Sequence, residues 1–410
     1  MKHAPYIFLI LVGLVAAGRA TAQNTGIIIG QDTTQRIITT AVPFMTIAPD
    51  ARAGAMGDVG VATSADVNAI HWNIAKLAFI EDDYGFTVSH TPWLARIIND
   101  MSLSYLSGYY KIDREQTVGM ALRYFDLGQM VFTDGGGAEI GDFRPREMSF
   151  EGAYSRMLSE NMSIGVTLKF IYSNLTGNVY SSSDDSRAGV SVGGDIGWFY
   201  QKDLRLGAKQ SNLALGATIT NLASKLTYSN DQQRNFVPTN LRIGGALTTE
   251  LDPYNKFTFA LDLNKLMVPT PPIYEFDENG DVVRDANNNP VVSRGKDPNR
   301  PLISGVFGSF TDAPDGFREE LQEFMISTGV EYWYNNTFAV RAGYYYEHQN
   351  KGDRKFFTAG VGLRHNVFGV DFAYLIPTRI NHPLAETVRF TILFNFNKGQ
   401  EAESILDQQR

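Results

Sequence analysis

The sequence predicts an all-β fold: a 14-stranded transmembrane antiparallel β-barrel with an N-terminal plug. Three observations predict it. Fourteen segments from Tyr84 onward have strand-like alternation or β-rich composition. The connections between them are mostly short on one side and long on the other. Ahead of them lies a stretch, residues 40–78, that is too apolar and too long for an ordinary linker, yet has neither helical nor strand periodicity.

Taken in order, the chain opens with a secretory signal peptide over residues 1–22. Lys2 supplies the positive charge, residues 6–17 are an apolar run, and Ala20-Thr21-Ala22 is a small-x-small cleavage site. The run is too short to span a bilayer comfortably, so export is expected with the mature chain starting at Gln23. Residues 23–83 form the leader and plug. Within them, residues 51–62 are mostly Ala and Gly, with charges only at Arg52 and Asp58. Small side chains let backbone approach backbone, as expected of a wedge held inside something larger.

The barrel follows over residues 84–397. Its expected strands are 84–91, 101–110, 115–126, 146–157, 161–173, 187–200, 212–221, 239–250, 256–266, 324–334, 337–348, 355–364, 367–376 and 386–397. Most are long enough to cross a bilayer when tilted, which takes roughly 9–11 residues. In 161–173, Ile164, Val166, Leu168, Phe170 and Tyr172 share one face; Ser163, Gly165, Thr167 and Lys169 share the other. A soluble sandwich alternates in the same way with its apolar face inward, so alternation alone does not separate the two architectures. The connections do. Even-numbered strands are followed by turns at 111–114, 158–160, 251–255, 335–336 and 365–366, with one longer connection at 201–211. Odd-numbered strands are mostly followed by longer loops, of which 267–323 is the largest. Short turns on one side and long loops on the other mark an outer-membrane barrel with the turns periplasmic. An even strand count returns the C-terminus to the periplasm, beside the N-terminus, and residues 398–410 read as a polar periplasmic tail. Tyr109-Tyr110, Trp198-Phe199-Tyr200, Tyr332-Trp333-Tyr334 and Tyr344-Tyr345-Tyr346 are expected to form interfacial girdles.

The insertion 267–323 opens with three prolines and carries Asn279-Gly280 as a hairpin turn signal. Its second half reads as a short helix with Asp315 as N-cap. By strand parity it lies outside the cell, and a loop of this length without function is uncommon. Its aromatic residues Tyr274, Phe276, Phe307, Phe310 and Phe317 are the candidate partner- or cargo-binding set.

Chemical motifs are weak throughout. A net charge of −8 argues against a nucleic-acid partner. Zero cysteines remove disulfides, thiol catalysis and thiolate metal sites together. Gly189-Val190-Ser191-Val192-Gly193 matches a nucleophile elbow in letters, but its serine sits mid-strand. Asp285-Ala286-Asn287-Asn288-Asn289 starts like a calcium loop and then meets Pro290 where the turn glycine belongs. His71, His90, His348, His365 and His382 have no metal spacing and read as turn, girdle or surface residues. No catalytic, cofactor-binding or metal-binding residue is assigned. Inside the barrel, Arg341, Glu347, Asp371 and Arg389 either line a channel or hold the plug.

The plug sequence PFMTIAPDARAGAMGDVGVATSADVNAIHWNIAKLAF closely resembles the N-terminal region of the PorV family, outer-membrane components of the type IX secretion system of Bacteroidetes. More distantly it is similar to the hatch of FadL-type barrels, whose D-x-x-A-x-x-x-N-P-A-x-L-A pattern falls on Asp66, Ala69, Asn73, Ala75, Leu77 and Ala78. Ile74 stands where that pattern usually has proline. The plug motif residues are Asp50, Arg52, Gly54, Met56, Gly57, Asp66 and Asn73. The resemblance implies a FadL-like barrel in the outer membrane, without enzymatic activity or cofactor. It implies binding of the C-terminal domain of cargo proteins leaving the translocon, and their delivery to a cell-surface attachment complex. The implied partners are the giant translocon barrel (SprA, or Sov), the sortase-like protease PorU, cargo C-terminal domains and outer-membrane lipid. A FadL-like channel for hydrophobic small molecules is the alternative. An enzyme such as a lipid A deacylase needs a Ser/His/Asp set that this sequence does not assemble.

Overall fold

The structure, a computed structural model, describes residues 35–397 apart from 95, 96, 99, 134, 176–186, 229–233, 380–383, 385 and 386. The expected signal peptide, most of the leader and the expected tail (398–410) lie outside the described residues. The strands in chain order are β1 (Tyr84–Pro92), β2 (Ser102–Lys111), β3 (Gln116–Asp126), β4 (Met130–Thr133), β5 (Glu139–Phe143), β6 (Arg146–Ser159), β7 (Met162–Asn174), β8 (Gly189–Leu206) and β9 (Lys209–Ala223). They continue as β10 (Asn240–Asp252), β11 (Asn255–Leu266), β12 (Ile273–Tyr274), β13 (Val292–Arg294), β14 (Phe324–Tyr334), β15 (Phe338–Tyr346), β16 (Lys355–His365), β17 (Phe368–Pro377) and β18 (Val388–Phe396). Pairs β4–β5 and β12–β13 are small separate hairpins; the other fourteen close into one antiparallel barrel. Closure is made by β1, which pairs with β2 on one side and β18 on the other, Tyr84 facing both Tyr110 and Phe396.

The faces settle barrel against sandwich. On β7 the apolar residues Ile164, Val166, Leu168 and Phe170 are exposed, Leu168 at 75%, while Ser163, Thr167 and Lys169 are buried. On β18, Phe390 and Ile392 point out while Arg389 and Thr391 point in. An apolar exterior around a polar interior is the pattern of a wall that faces lipid.

Two expectations about this wall are corrected. The connection at 201–211 is a tight turn, because β8 and β9 run on past the expected boundaries and meet at Gly207, whose φ of +65° is the left-handed conformation glycine favours. The aromatic clusters do not all face lipid. Strand side chains alternate, so Tyr109, Phe199 and Tyr345 are buried while Tyr110, next to Tyr109, is exposed, as is Tyr334 of another cluster.

Inside the barrel, residues 36–83 are mostly buried and hold two short helices, α1 (Ala51–Gly54) and α2 (Ala69–Trp72), plus two 3-10 turns at Pro43–Thr46 and Ile74–Phe79. Phe44 and Met45 pack against Leu103, Phe125 and Ile171 at the long-loop end. At the other end Lys111 Nζ donates to the Ile80 carbonyl at 2.6 Å and Asp83 N donates to Phe396 O at 3.0 Å. The chain thus threads the lumen from loop end to turn end. Arg36 is at the loop end, and Asn397, bonded to Asp82, at the turn end; the two termini, expected side by side, lie outside the described residues.

The insertion between β11 and β14 contains helices α3 (Leu302–Gly308) and α4 (Phe317–Gln322). Leu302 and Val306 pack with Phe236, Met267, Ile219 and Leu241 on the barrel rim. The helix α4 begins after Gly316, not after an Asp315 cap. The Asp315 carboxylate is taken by Arg36 and Arg294 instead. The Asn279-Gly280 turn forms as expected, with Gly280 at φ +85° and Phe276 bridged to Val282.

Candidate functional site

The plug is fixed to the wall around its circumference. Its backbone or side chains bond Ser107 of β2, Arg123 of β3, Ser155 of β6, Ser163 of β7, the Trp198 carbonyl of β8, Asp262 of β11, Glu331 of β14, Thr358 of β16 and Thr391 of β18. Because an isolated backbone N–H or a charge in a low-dielectric lumen is costly, these bonds are what allow an irregular segment to be buried there.

The plug motif residues divide the work. The Asp50 carboxylate caps α1 by accepting from Ala53 N at 2.9 Å, and accepts Trp72 Nε1 at 2.6 Å. Arg52 is a buried fork: Nε and Nη2 donate to Glu331 at 3.0 and 2.8 Å, and Nη1 to Asp66 at 2.9 Å. Asn73 Nδ2 donates to Val61 O at 3.1 Å and Trp198 O at 2.9 Å, while its Oδ1 caps the following turn through Ala75 N. Met56 is fully buried beside Val59, Phe199 and Ala260. Gly57 has φ +70°, and a Cβ there would lie 2.6 Å from the Tyr344 nitrogen; Gly54 faces the Arg389 side chain as closely. Ile74 is buried and starts its 3-10 turn without proline.

From Arg52 the charges run on into the wall. Glu331 accepts Arg341 Nε at 2.6 Å, Arg341 Nη1 reaches Asp371 at 2.7 Å, and Asp371 accepts Arg364 at 2.6 Å. Arg389 binds plug residue Asp58 at 3.2 Å. Of the four interior candidates, Arg389 touches the plug, Arg341 and Asp371 hold it through Glu331, and Glu347 does neither. Glu347 follows β15 and pairs with Arg354 at 2.8 Å. His71 is a correction: it is buried in the plug, its Nδ1 2.6 Å from Arg123 Nη2, rather than at a turn or surface. His382 lies outside the described residues.

Above the plug, toward the loop end, is a cavity of about 510 Å³, whose lining includes the apolar residues Trp93, Met325, Phe356 and Leu375 and the polar residues Asn240, Arg242 and Asn264; Met325 lies directly across from Asn264 on the next strand. The sequence gives no way to single these residues out from other lumen-facing polar positions.

With this geometry in view, residues 30–273 match the family model described as Type IX secretion system protein PorV. The chain belongs to the PorV family. It is an outer-membrane β-barrel component of the type IX secretion system. No curated protein sequence matches it. Among solved structures it is similar to the Ralstonia pickettii toluene transporter TbuX, at 11% identity over 85% of this chain and 98% of that one, with TM-score 0.45. It is similar also to the Pseudomonas putida toluene transporter TodX (13% identity, 84% and 96% covered, TM-score 0.45) and to a Pseudomonas aeruginosa FadL homologue (11% identity, 88% and 100% covered, TM-score 0.42).

In this PorV-family chain the insertion is clamped to the rim by charge. Lys265 is buried and pairs with Glu320 at 3.2 Å and with Glu323. Lys351 pairs with Glu319 at 2.7 Å and Glu323 at 2.9 Å, and Arg36 donates to both oxygens of Glu319 at 2.7 Å. Burial pushes the Glu319 carboxyl up, but hydrogen bonds from Arg36 and Lys351 outweigh it and hold the pKa at about 2. The candidate aromatics scatter over this platform. Phe307 (59%) and Phe317 (76%) are exposed, Phe310 lies half-buried near Lys265, and Tyr274 and Phe276 sit on the projecting hairpin.

Proposed function

We propose that this chain is a non-enzymatic receptor subunit that binds the C-terminal domain of cargo proteins leaving the translocon and delivers them to the cell-surface attachment complex. The observation that carries the reading is the PorV family match over residues 30–273. The geometry supports it in two ways. The lumen is filled by a plug bonded around the wall, which suits docking better than passage. The insertion is held to the rim by buried ion pairs, which suits a rigid external platform. By the usual sidedness of outer-membrane barrels, the platform faces the cell exterior. Exposed Phe307 and Phe317, with Tyr274 and Phe276, are the residues on it that offer aromatic anchors. The translocon barrel (SprA, or Sov), the PorU protease and outer-membrane lipid are the partners this reading requires.

The test is capture of a purified cargo C-terminal domain by the detergent-solubilised barrel. Replacing Phe307 and Phe317 together by Ser is expected to weaken capture by about tenfold or more, the range of a lost anchor pair. The variant is expected to keep the heat-dependent gel shift of a folded barrel. Undiminished capture removes these residues from the interface.

A channel for hydrophobic small molecules is the second reading, favoured by the cavity with Trp93, Met325, Phe356 and Leu375 in its wall. Saturable uptake of an apolar compound that depends on this protein supports it.

A further inference from the structure

The cavity above the plug holds polar atoms that its own walls leave unsatisfied. Asn240 and Arg242 are neighbours on the inner face of β10, and Asn264 lies directly across from Arg242 on β11, so the three make one patch. Arg389 joins them from β18. All four are more than nine-tenths buried, at 4%, 6%, 6% and 3% exposure. Among the described residues, Arg242 Nη1 and Arg389 Nε have no acceptor, and the Oδ1 atoms of Asn240 and Asn264 have no donor. The third arginine of the cavity, Arg354, is already held by Glu347 through two hydrogen bonds, and Arg389 Nη1 by Asp58. The Arg242 guanidinium lies over the Trp72 ring, 4.9 Å from its centroid; the carboxylates of Asp262 and Asp58 are near enough to act on its charge, but among the described residues neither forms an ion pair with it. Water can satisfy neutral atoms here, but a buried guanidinium calls for an anion.

The complement of this site has three parts: an anionic group for Arg242 and Arg389, N–H donors for two amide oxygens, and an apolar body for Met325, Phe356 and Leu375. We propose that the cavity binds the C-terminal end of an extended polypeptide. The terminal carboxylate sits on Arg242 and Arg389 in the bidentate manner arginine favours. The last backbone N–H groups donate to the Oδ1 atoms of Asn240 and Asn264, and the final apolar side chains rest on Met325, beside Asn264, and on Phe356 and Leu375. A fatty acid fills the wall and supplies the anion, but it has no donor for either amide oxygen. The volume, about 510 Å³, is that of a pocket for a short segment rather than a folded domain. This inference rests on the cargo-receptor reading and narrows it to the chain terminus of the cargo.

The test uses the full-length barrel in detergent and a fluorescein-labelled decapeptide copied from the C-terminus of a type IX cargo protein. The peptide is made as free acid and as C-terminal amide. Fluorescence anisotropy is expected to show the acid binding tighter by about tenfold or more, the scale of a charge-assisted hydrogen bond. Arg242→Gln is expected to reduce the acid to the level of the amide, and Arg242→Lys to restore part of the difference. The acid–amide comparison on the unaltered protein decides the matter by itself if the variants fail to fold. Equal binding of acid and amide overturns the inference, as does palmitate that binds and is not displaced by the acid peptide. An intact cargo domain that binds equally well with its terminus amidated leaves the receptor reading standing and removes this one. A domain that does not bind in either form removes both.

Discussion

Replacing Arg52 by Ala tests whether the charge network holds the plug. Arg52 is 8% exposed and donates five hydrogen bonds, two of them to Glu331, two to Ser64 and one to Asp66. Removing one member of a buried ion pair costs about 3–5 kcal/mol, because the partner is left charged and unpaired. Here Glu331 keeps Arg341, so the lower end of that range, about 3 kcal/mol, is the expectation. A loss of that size raises the population with the plug segment open by about 150-fold. Hydrogen exchange read by mass spectrometry on the peptide covering residues 51–66 measures that population directly. The amides of Gly54, Ala55, Met56 and Asp58, all hydrogen-bonded within the plug, are expected to exchange faster by that factor, while β-strand peptides hold their protection. Protection within about threefold of the unaltered protein would refute the reasoning, since a difference that small is under 1 kcal/mol.

Three further outcomes follow from the same geometry. Gly343→Ala places a Cβ 2.1 Å from the Gly57 nitrogen, a backbone atom that cannot give way, so destabilisation of about 1–3 kcal/mol is expected; an unchanged urea midpoint contradicts it. Leu168→Arg, at the middle of the lipid face of β7, is expected to cost about 2–4 kcal/mol in refolding titrations into bilayers, and no cost argues against that face meeting lipid. Glu319 is held at about pKa 2 from an ordinary value of 4.5, so its contribution to docking the insertion is complete above pH 4.5 and lost as pH falls toward 2. Limited proteolysis of the insertion is expected to accelerate through that window and to lose most of its pH dependence in Glu319→Gln; a platform that tightens on acidification contradicts the sign.

The wall was readable from the sequence because lipid on one side and a polar lumen on the other impose alternation on every strand, and the fourteen expected strands correspond to the fourteen wall strands. Where that pressure ends, so does the signal. The lower parts of β8 and β9 read as a loop because residues 202–210 are mostly exposed and only Leu204 and Leu206 carry large apolar side chains there, too few to mark an alternation. The plug motif was readable as a motif, but its partners were not. Arg52 and Glu331 stand 279 residues apart, and nothing local marks Gly343 as the position where the plug backbone meets the wall. The same holds for Arg242 and Asn264, which a sequence presents as two more polar lumen residues among many. Strand parity fixes only the end of the barrel where β1 begins; which way the plug threads the lumen depends on Phe44 and Met45 packing at the loop end, which nothing local in the sequence marks.

The measurement that tests the central claim most directly is affinity capture of the tagged protein from native outer membranes in mild detergent, read by mass spectrometry. A cargo-receptor subunit of the type IX system is expected to bring with it exported proteins that share one C-terminal domain, together with the translocon barrel or the attachment protease. Recovery of the barrel alone, carrying only lipid or fatty acid, would contradict the account and favour a channel.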